Sequence, residues 1–263
     1  MGSFVGLRKK KTPPPPSFEH VIANADGSNV VYSTGVATAG VLAARDGFAD
    51  DLVGTNKHDL LVGSDEANSL VGAGGSDHIY ALDGDDTIIA GEGNDMVRGG
   101  SGDDAIDGGD GDDELYGDNI PGRYDFGHDT IIGGAGNDTI YGGAGNDKID
   151  AGIGDDIIYG EEGDDIIAAS DGSDVIEGGN GDDQISGGAG DDNISGGAGN
   201  DLIVGDGGND IIKGNDGADN ISGGEGDDTI FGGLDNDKLS GNEGDDVITG
   251  DGGDDQIYGN SGN

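Results

Sequence analysis

Residues 133 to 150 read GGAGNDTIYGGAGNDKID, the same nine-residue phrase twice over. The frame G-G-x-G-x-D-x-U-x, with U aliphatic, runs from Gly54 to Tyr258 in about 22 copies, and residues 259–263 begin another. Position 8 of the frame is filled by Leu61, Leu70, Ile79, Ile88, Val97, Ile106, Leu115, Ile131, Ile140, Ile149, Ile158, Ile167, Ile176, Ile185, Ile194, Ile203, Ile212, Ile221, Ile230, Leu239, Ile248 and Ile257 without exception. Position 6 is Asp in every copy but one, where Asn68 stands.

A period of nine with one obligatory aliphatic residue cannot make a helical stripe, which needs apolar side chains every three or four residues. Glycine at this density also opposes helix. Positions 7 to 9 suit a very short strand with U pointing inward. The six residues before it suit a tight turn, because glycine enters left-handed backbone regions at no steric cost. One copy is thus a turn plus a strand. Two copies make one coil of a flattened helix, and stacked coils pair their strands in parallel and align the U residues as a thin core.

That core is too thin to hold the fold alone. Hydrophobic residues are 32% of the 263 and 60 residues are Gly, against ~45–50% apolar in ordinary domains. The net charge is −45; without a partner such a chain repels itself and stays expanded. Stacking would also align the aspartates in rows of like charge about 4.8 Å apart. A bound cation resolves both problems. Cysteine is absent, which excludes disulfides and thiolate metal sites. The turns offer carboxylate and carbonyl oxygen, a hard donor set that selects calcium over zinc or copper, and over magnesium with its stricter octahedron. One ion between each copy and the next on the same side gives about 20 sites, or roughly +40 against the chain's charge. No apolar run is long enough for a transmembrane helix, and the basic start MGSFVGLRKKKTPPPPSFEH has no apolar stretch behind it, so it is not a secretory signal peptide.

The repeat resembles the hemolysin-type, or RTX, calcium-binding nonapeptide family over residues 54–263. The resemblance implies an all-β fold, the right-handed parallel β-roll. It also implies an extracellular location after type I secretion and folding in calcium. Carried onto this sequence, the acid ligands fall on Asp77, Asp86, Asp95, Asp104, Asp113, Asp129, Asp138, Asp147, Asp156, Asp165, Asp174, Asp183, Asp192, Asp201, Asp210, Asp219, Asp228, Asp237, Asp246 and Asp255. The carbonyl ligands fall in the turns, as at Gly134, Gly136, Gly143, Gly145, Gly188, Gly190, Gly197 and Gly199. The first two copies depart from the pattern: Lys57 and Glu66 replace the third Gly and Asn68 replaces Asp, so they are expected to bind weakly or to cap the roll. Asp235 replaces the same Gly. Members of that family usually carry a secretion signal after the repeats. None is recognised in the final GNSGN, which leaves truncation, another export route or fraying of the last coils open.

Residues 1–17 read as a disordered basic and Pro-rich tail with no nucleic acid expected on it. Residues 18–53 read as an N-terminal capping segment, with a hairpin around Asp26-Gly27 and a short helix in VATAGVLAARDGFADDLVG. One copy, within residues 117–132, carries seven extra residues, and Arg123, Tyr124, Phe126 and His128 gather there. It reads as a tolerated surface loop or a binding loop, in which His128 is a conceivable metal ligand. At position 9, Tyr80, Tyr116, Tyr141, Tyr159 and Phe231 share one face, joined at position 7 by Ile157, Val175, Ile211 and Val247. That face is either stiffened by cross-strand stacking or a contact surface for a polysaccharide, a cell-surface partner or a second copy. No HExxH or GxSxG occurs, and the expectation is a calcium-binding structural or interaction module and not an enzyme. The alternatives are an adhesin-like glycan-binding fragment, or the C-terminal roll of a secreted enzyme whose catalytic part is absent.

Overall fold

The computed structural model describes residues 41–43, 51–118 and 126–262. The tail, the hairpin, Arg123 and Tyr124 lie outside the described residues. Each repeat supplies one strand, and successive strands alternate between two sheets. The odd-numbered strands stack in chain order in one 12-stranded sheet and the even-numbered strands in the other. All pairs are parallel, and each residue meets the residue two repeats on, as in Ile140 against Ile158 and Ile149 against Ile167. The protein is a parallel β-roll.

Alternation along the strand puts position 8 inside and positions 7 and 9 outside. In Thr139–Ala144, for instance, Ile140 is buried between half-exposed neighbours. The position-8 side chains from Leu61 to Leu239 form a single buried cluster between the sheets. Ile248 packs on its end, and Ile257 in the final strand is exposed. The described parts of the segment read as a cap are strands, not helix. They are β1 (Val41–Ala43) and β2 (Asp51–Val53). They set Leu42 on Leu61 and Leu52 on Leu70, extending both columns of the core by one residue. Residues 44–50, where a helix was also conceivable, are outside the described set.

The strands are longer than three residues. They run from position 7 to position 3 of the next copy, as in β11 (Thr139–Ala144) and β13 (Ile157–Glu162). Ile140 and Tyr141 pair with Ile158 and Tyr159; the register then skips Gly142 and resumes with Gly143 on Glu161. Because every coil turns the same corner, backbone groups stay aligned with the coil below through the bend. The skipped corner, position 1, holds only glycine or a buried alanine, as at Ala81, Ala90, Ala151 and Ala169. The room there is taken by the aspartate of the same copy: a Cβ on Gly142 would lie 2.6 Å from Asp147 Oδ2.

Across the enlarged copy the register step is larger, Ile106 meeting Ile131 and Leu115 meeting Ile140. The seven extra residues therefore leave both columns of aliphatic side chains unbroken. Among the described residues no helix is long and apolar enough to cross a membrane.

Candidate metal centre

The turns carry the polar chemistry. At position 6 the backbone N–H of each aspartate donates to Oδ1 of the aspartate one coil on. Examples are Asp138 N to Asp156 Oδ1, Asp156 N to Asp174 Oδ1 and Asp147 N to Asp165 Oδ1, each 2.8 Å. Two ladders result, one per turn side. Asp59, Asp77, Asp95, Asp113, Asp138 and their successors make one. Asn68, Asp86, Asp104, Asp129, Asp147 and their successors make the other.

The second carboxylate oxygen has no such partner. From Asp77 to Asp246, Oδ2 of every position-6 aspartate is buried and accepts no hydrogen bond. An unsatisfied buried anion is costly, so burial favours the protonated form. Burial pushes Asp104 and Asp129 up to about 8, Asp113, Asp138, Asp165 and Asp192 to about 7, and Asp77, Asp86 and Asp95 to about 6. The ladder hydrogen bond opposes the shift and neighbouring aspartates add to it. A proton or a cation is what such an oxygen lacks.

The first two copies differ. Asp59 Oδ2 accepts from Thr55 N at 2.6 Å and Thr55 Oγ1 at 2.8 Å. Asn68 Oδ1 accepts from Ser64 N at 2.5 Å. Thr55 and Ser64 stand at position 2, where most later copies have a positive φ, such as 115° at Gly134 and 108° at Gly152. The first two copies thus close their turns with donors of their own.

The position-3 and position-6 carbonyls accept inter-coil hydrogen bonds, as in Gly136 N to Ile153 O and Thr139 N to Asp113 O, both 2.8 Å. Among the described residues the carbonyls of the position-4 glycines accept no backbone hydrogen bond. They point along the roll: a Cβ on Gly136 would overlap the carbonyl of Gly111 one coil below. The expected carbonyl donors at Gly134, Gly136, Gly143, Gly145, Gly188, Gly190, Gly197 and Gly199 all sit in these turns with positive φ. Asp77 through Asp237 are buried in the two ladders, while Asp246 and Asp255, near the last coil, are less covered. Among the described residues no three His, Cys, Asp or Glu side chains converge as a cage. The donor set is therefore about one orphaned carboxylate oxygen per turn with carbonyls beside it. That all-oxygen set fits a hard cation taking six to eight oxygens, as calcium does.

Sequence reasoning missed two features. Position 5 forms an outer ladder: Asn137 Oδ1 accepts from Asp155 N at 3.1 Å, and Asp155 Oδ1 from Ser173 N at 3.0 Å. The signal was the recurrence of Asp, Asn, Ser and His just ahead of the position-6 aspartate. His128 is one of these rungs. Its N–H donates to Asp103 Oδ1 and its Nδ1 accepts from Asn146 N at 2.7 Å, so that nitrogen is engaged with backbone rather than free for a metal. The second feature is Asp118, buried at position 2 of the enlarged copy.

On the odd-numbered sheet Tyr116, Tyr141 and Tyr159 stack with centroids 4.7 and 4.9 Å apart and ring planes 5° and 12° from parallel. Arg98 caps the stack, its Cζ 4.2 Å from the centre of Tyr116, and separates it from Tyr80 in the register. Ile157, Val175, Ile211 and Val247 are exposed on this face. The other face also exposes apolar residues, Ile89, Ile132, Ile166 and Leu202, so apolar exposure does not mark one face out.

A family model described as RTX calcium-binding nonapeptide repeat (4 copies) matches residues 46–79, 62–97, 89–119, 125–158, 148–176, 159–194, 169–203, 177–212, 204–239 and 231–263. No curated protein matches the chain.

Proposed function

The chain belongs to the RTX calcium-binding nonapeptide repeat family, and from that premise we propose that it is a secreted module which folds as calcium fills its turns. In that state it serves as a stiff structural or interaction element and not as an enzyme. The observation that carries this reading is the unbroken row of buried, unpartnered Oδ2 atoms from Asp77 to Asp246. Without a cation the roll would hold that row in place against its own repulsion. With cations in place the same row ties each coil to the next. Family membership supports calcium as the ion and export as the setting. The absence of cysteine agrees with a fold stabilised by metal instead of disulfides.

The test is a calcium titration of the full chain followed by circular dichroism and small-angle scattering. In chelator the radius of gyration is expected near the ~57 Å of an unfolded chain of this length, and in millimolar calcium near ~20 Å, with a gain of β signal. A chain equally compact in chelator and in calcium would overturn the proposal.

A polysaccharide or cell-surface partner on the Tyr80, Tyr116, Tyr141 and Tyr159 face is the second reading, favoured by an aromatic row with Arg98 at its end. Against it, the stacked rings cover one another's faces, and sugars pack on faces rather than edges. The test is retention on insoluble polysaccharide in calcium, lost when Tyr116, Tyr141 and Tyr159 are all changed to Ser. Equal retention of both proteins, or none of either, removes this reading.

A further inference from the structure

Four position-2 residues are acidic: Asp118, Glu161, Asp206 and Asp251. Glu161, Asp206 and Asp251 adopt φ of 76°, 72° and 63° and are exposed. Asp118 is not among the residues of positive φ, and it is 8% exposed. The backbone difference turns its side chain into the turn instead of out to water. Its Oδ2 accepts from Ala144 N at 2.6 Å, one coil on, and lies beneath Gly143, where a Cβ would come within 2.5 Å of it.

The same copy contributes Asp129, 2% exposed, whose Oδ2 is buried, accepts no hydrogen bond and approaches Gly117, the residue before Asp118. Among the described residues this is the one repeat that buries two acidic side chains; every other buries at most one. Asp104 below and Asp147 above are joined to Asp129 through the ladder, Asp104 N to Asp129 Oδ1 and Asp129 N to Asp147 Oδ1, both 2.8 Å. The charge of Asp118 is felt by all three of them.

We infer that Asp118 makes the enlarged repeat a distinct calcium site, in which a second buried carboxylate joins Asp129 and the turn carbonyls and raises affinity above that of the ordinary turns. This inference rests on the calcium-binding reading above. Added ligand charge is a main determinant of calcium affinity in oxygen sites. A site that fills first here would fix the coils on either side of the seven-residue insertion, whose extra length adds to the cost of closure.

The experiment is hydrogen exchange of the full chain at a series of calcium concentrations. It compares the midpoint of protection for residues 104–118 and 129–147 with that for residues 192–228. In the native protein the first midpoint is expected about fivefold lower. Asp118→Asn keeps the shape and removes the charge; it should raise that midpoint about fivefold relative to 192–228. Asp118→Gly, which restores the residue most common at position 2, should do the same. Asp206→Asn, an acid at the same position but exposed, should change neither. Equal midpoints in the native protein, or a shift of both regions together in Asp118→Asn, would overturn the inference. Calcium-induced protection nowhere in the chain would instead overturn the calcium reading itself.

Discussion

At the scale of the residue, each repeat concentrates its demands on two side chains. Ile158 is fully buried in the middle of one column of the core, against Ile140 below and Ile176 above. The next inward residue of its own strand, Gly160, has no side chain with which to close a cavity there. Ile158→Ala is therefore expected to cost about 2–5 kcal/mol in the calcium-loaded state, read from urea unfolding at fixed calcium. Ile257→Ala, at a position 49% exposed, should cost under about 1 kcal/mol, since little surface returns to water. A loss at Ile257 equal to that at Ile158 would show that the aliphatic column is not what resists unfolding. The aspartate beside each isoleucine is different in kind. Its Oδ1 serves the backbone of the preceding coil and its Oδ2 serves nothing in the protein, so one side chain carries both a structural and a ligand-binding task.

At the scale of the element, the strands are held by neighbours one coil away, and the tyrosine row shows how far that goes. Tyr141 stacks on both Tyr116 and Tyr159. At about 0.5–1.5 kcal/mol for each aromatic pair, Tyr141→Ala should cost about 1–3 kcal/mol. Tyr159→Ala, which ends the row, should cost about half as much. A double-mutant cycle on Tyr116 and Tyr141 measures the coupling directly, and a coupling near zero would reduce the row to coincident geometry. This row was legible in the sequence because a strict period of nine assigns alternate copies to one face. The parallel register, the two sheets and the buried aliphatic columns were legible for the same reason. The extra strand length was not: positions 1 to 3 look like pure turn, and positions 2 and 3 pair only because the same turn lies beneath them. The two rungs at Leu42 and Leu52 were not legible either: Gly40 stands two residues before Leu42, where the frame has its aspartate, and although Asp50 precedes Leu52 as the frame requires, Arg45, Asp46 and Phe48 replace the glycines of that copy. Asp118 escaped notice because Glu161, Asp206 and Asp251 occupy the same position harmlessly. Backbone φ, not residue type, decides whether that side chain points in or out.

At the scale of the whole molecule, the two aspartate ladders make the response to pH depend on whether cation is present. Without cation, burial raises the ladder carboxylates from 3.8 in the unfolded chain to about 6 for Asp156 and Asp219, about 7 for Asp165 and about 8 for Asp129. The folded roll then binds more protons than the unfolded chain between about pH 4 and 8. That contribution to stability is fully present below pH 4 and is lost as pH rises through 6 to 8. With calcium the order reverses, because the ion requires ionised carboxylates and is released as they protonate. In chelator the chain should therefore be expanded at pH 7.5 and gain β signal and compactness near pH 4.5. In calcium it should be compact at pH 7.5 and lose bound ions toward pH 4.5. Acid also lowers the net charge, since the isoelectric point is 4.1, and relief of general repulsion could compact the chain without any ladder. Salt separates the two causes. At 1 M sodium chloride the screening length falls to about 3 Å, which removes repulsion between exposed charges. It leaves a buried Oδ2 without a partner. Acid in chelator should restore the roll and 1 M sodium chloride at pH 7.5 should not. If salt works as well as acid, overall charge and not the buried ladder is what keeps the metal-free chain open.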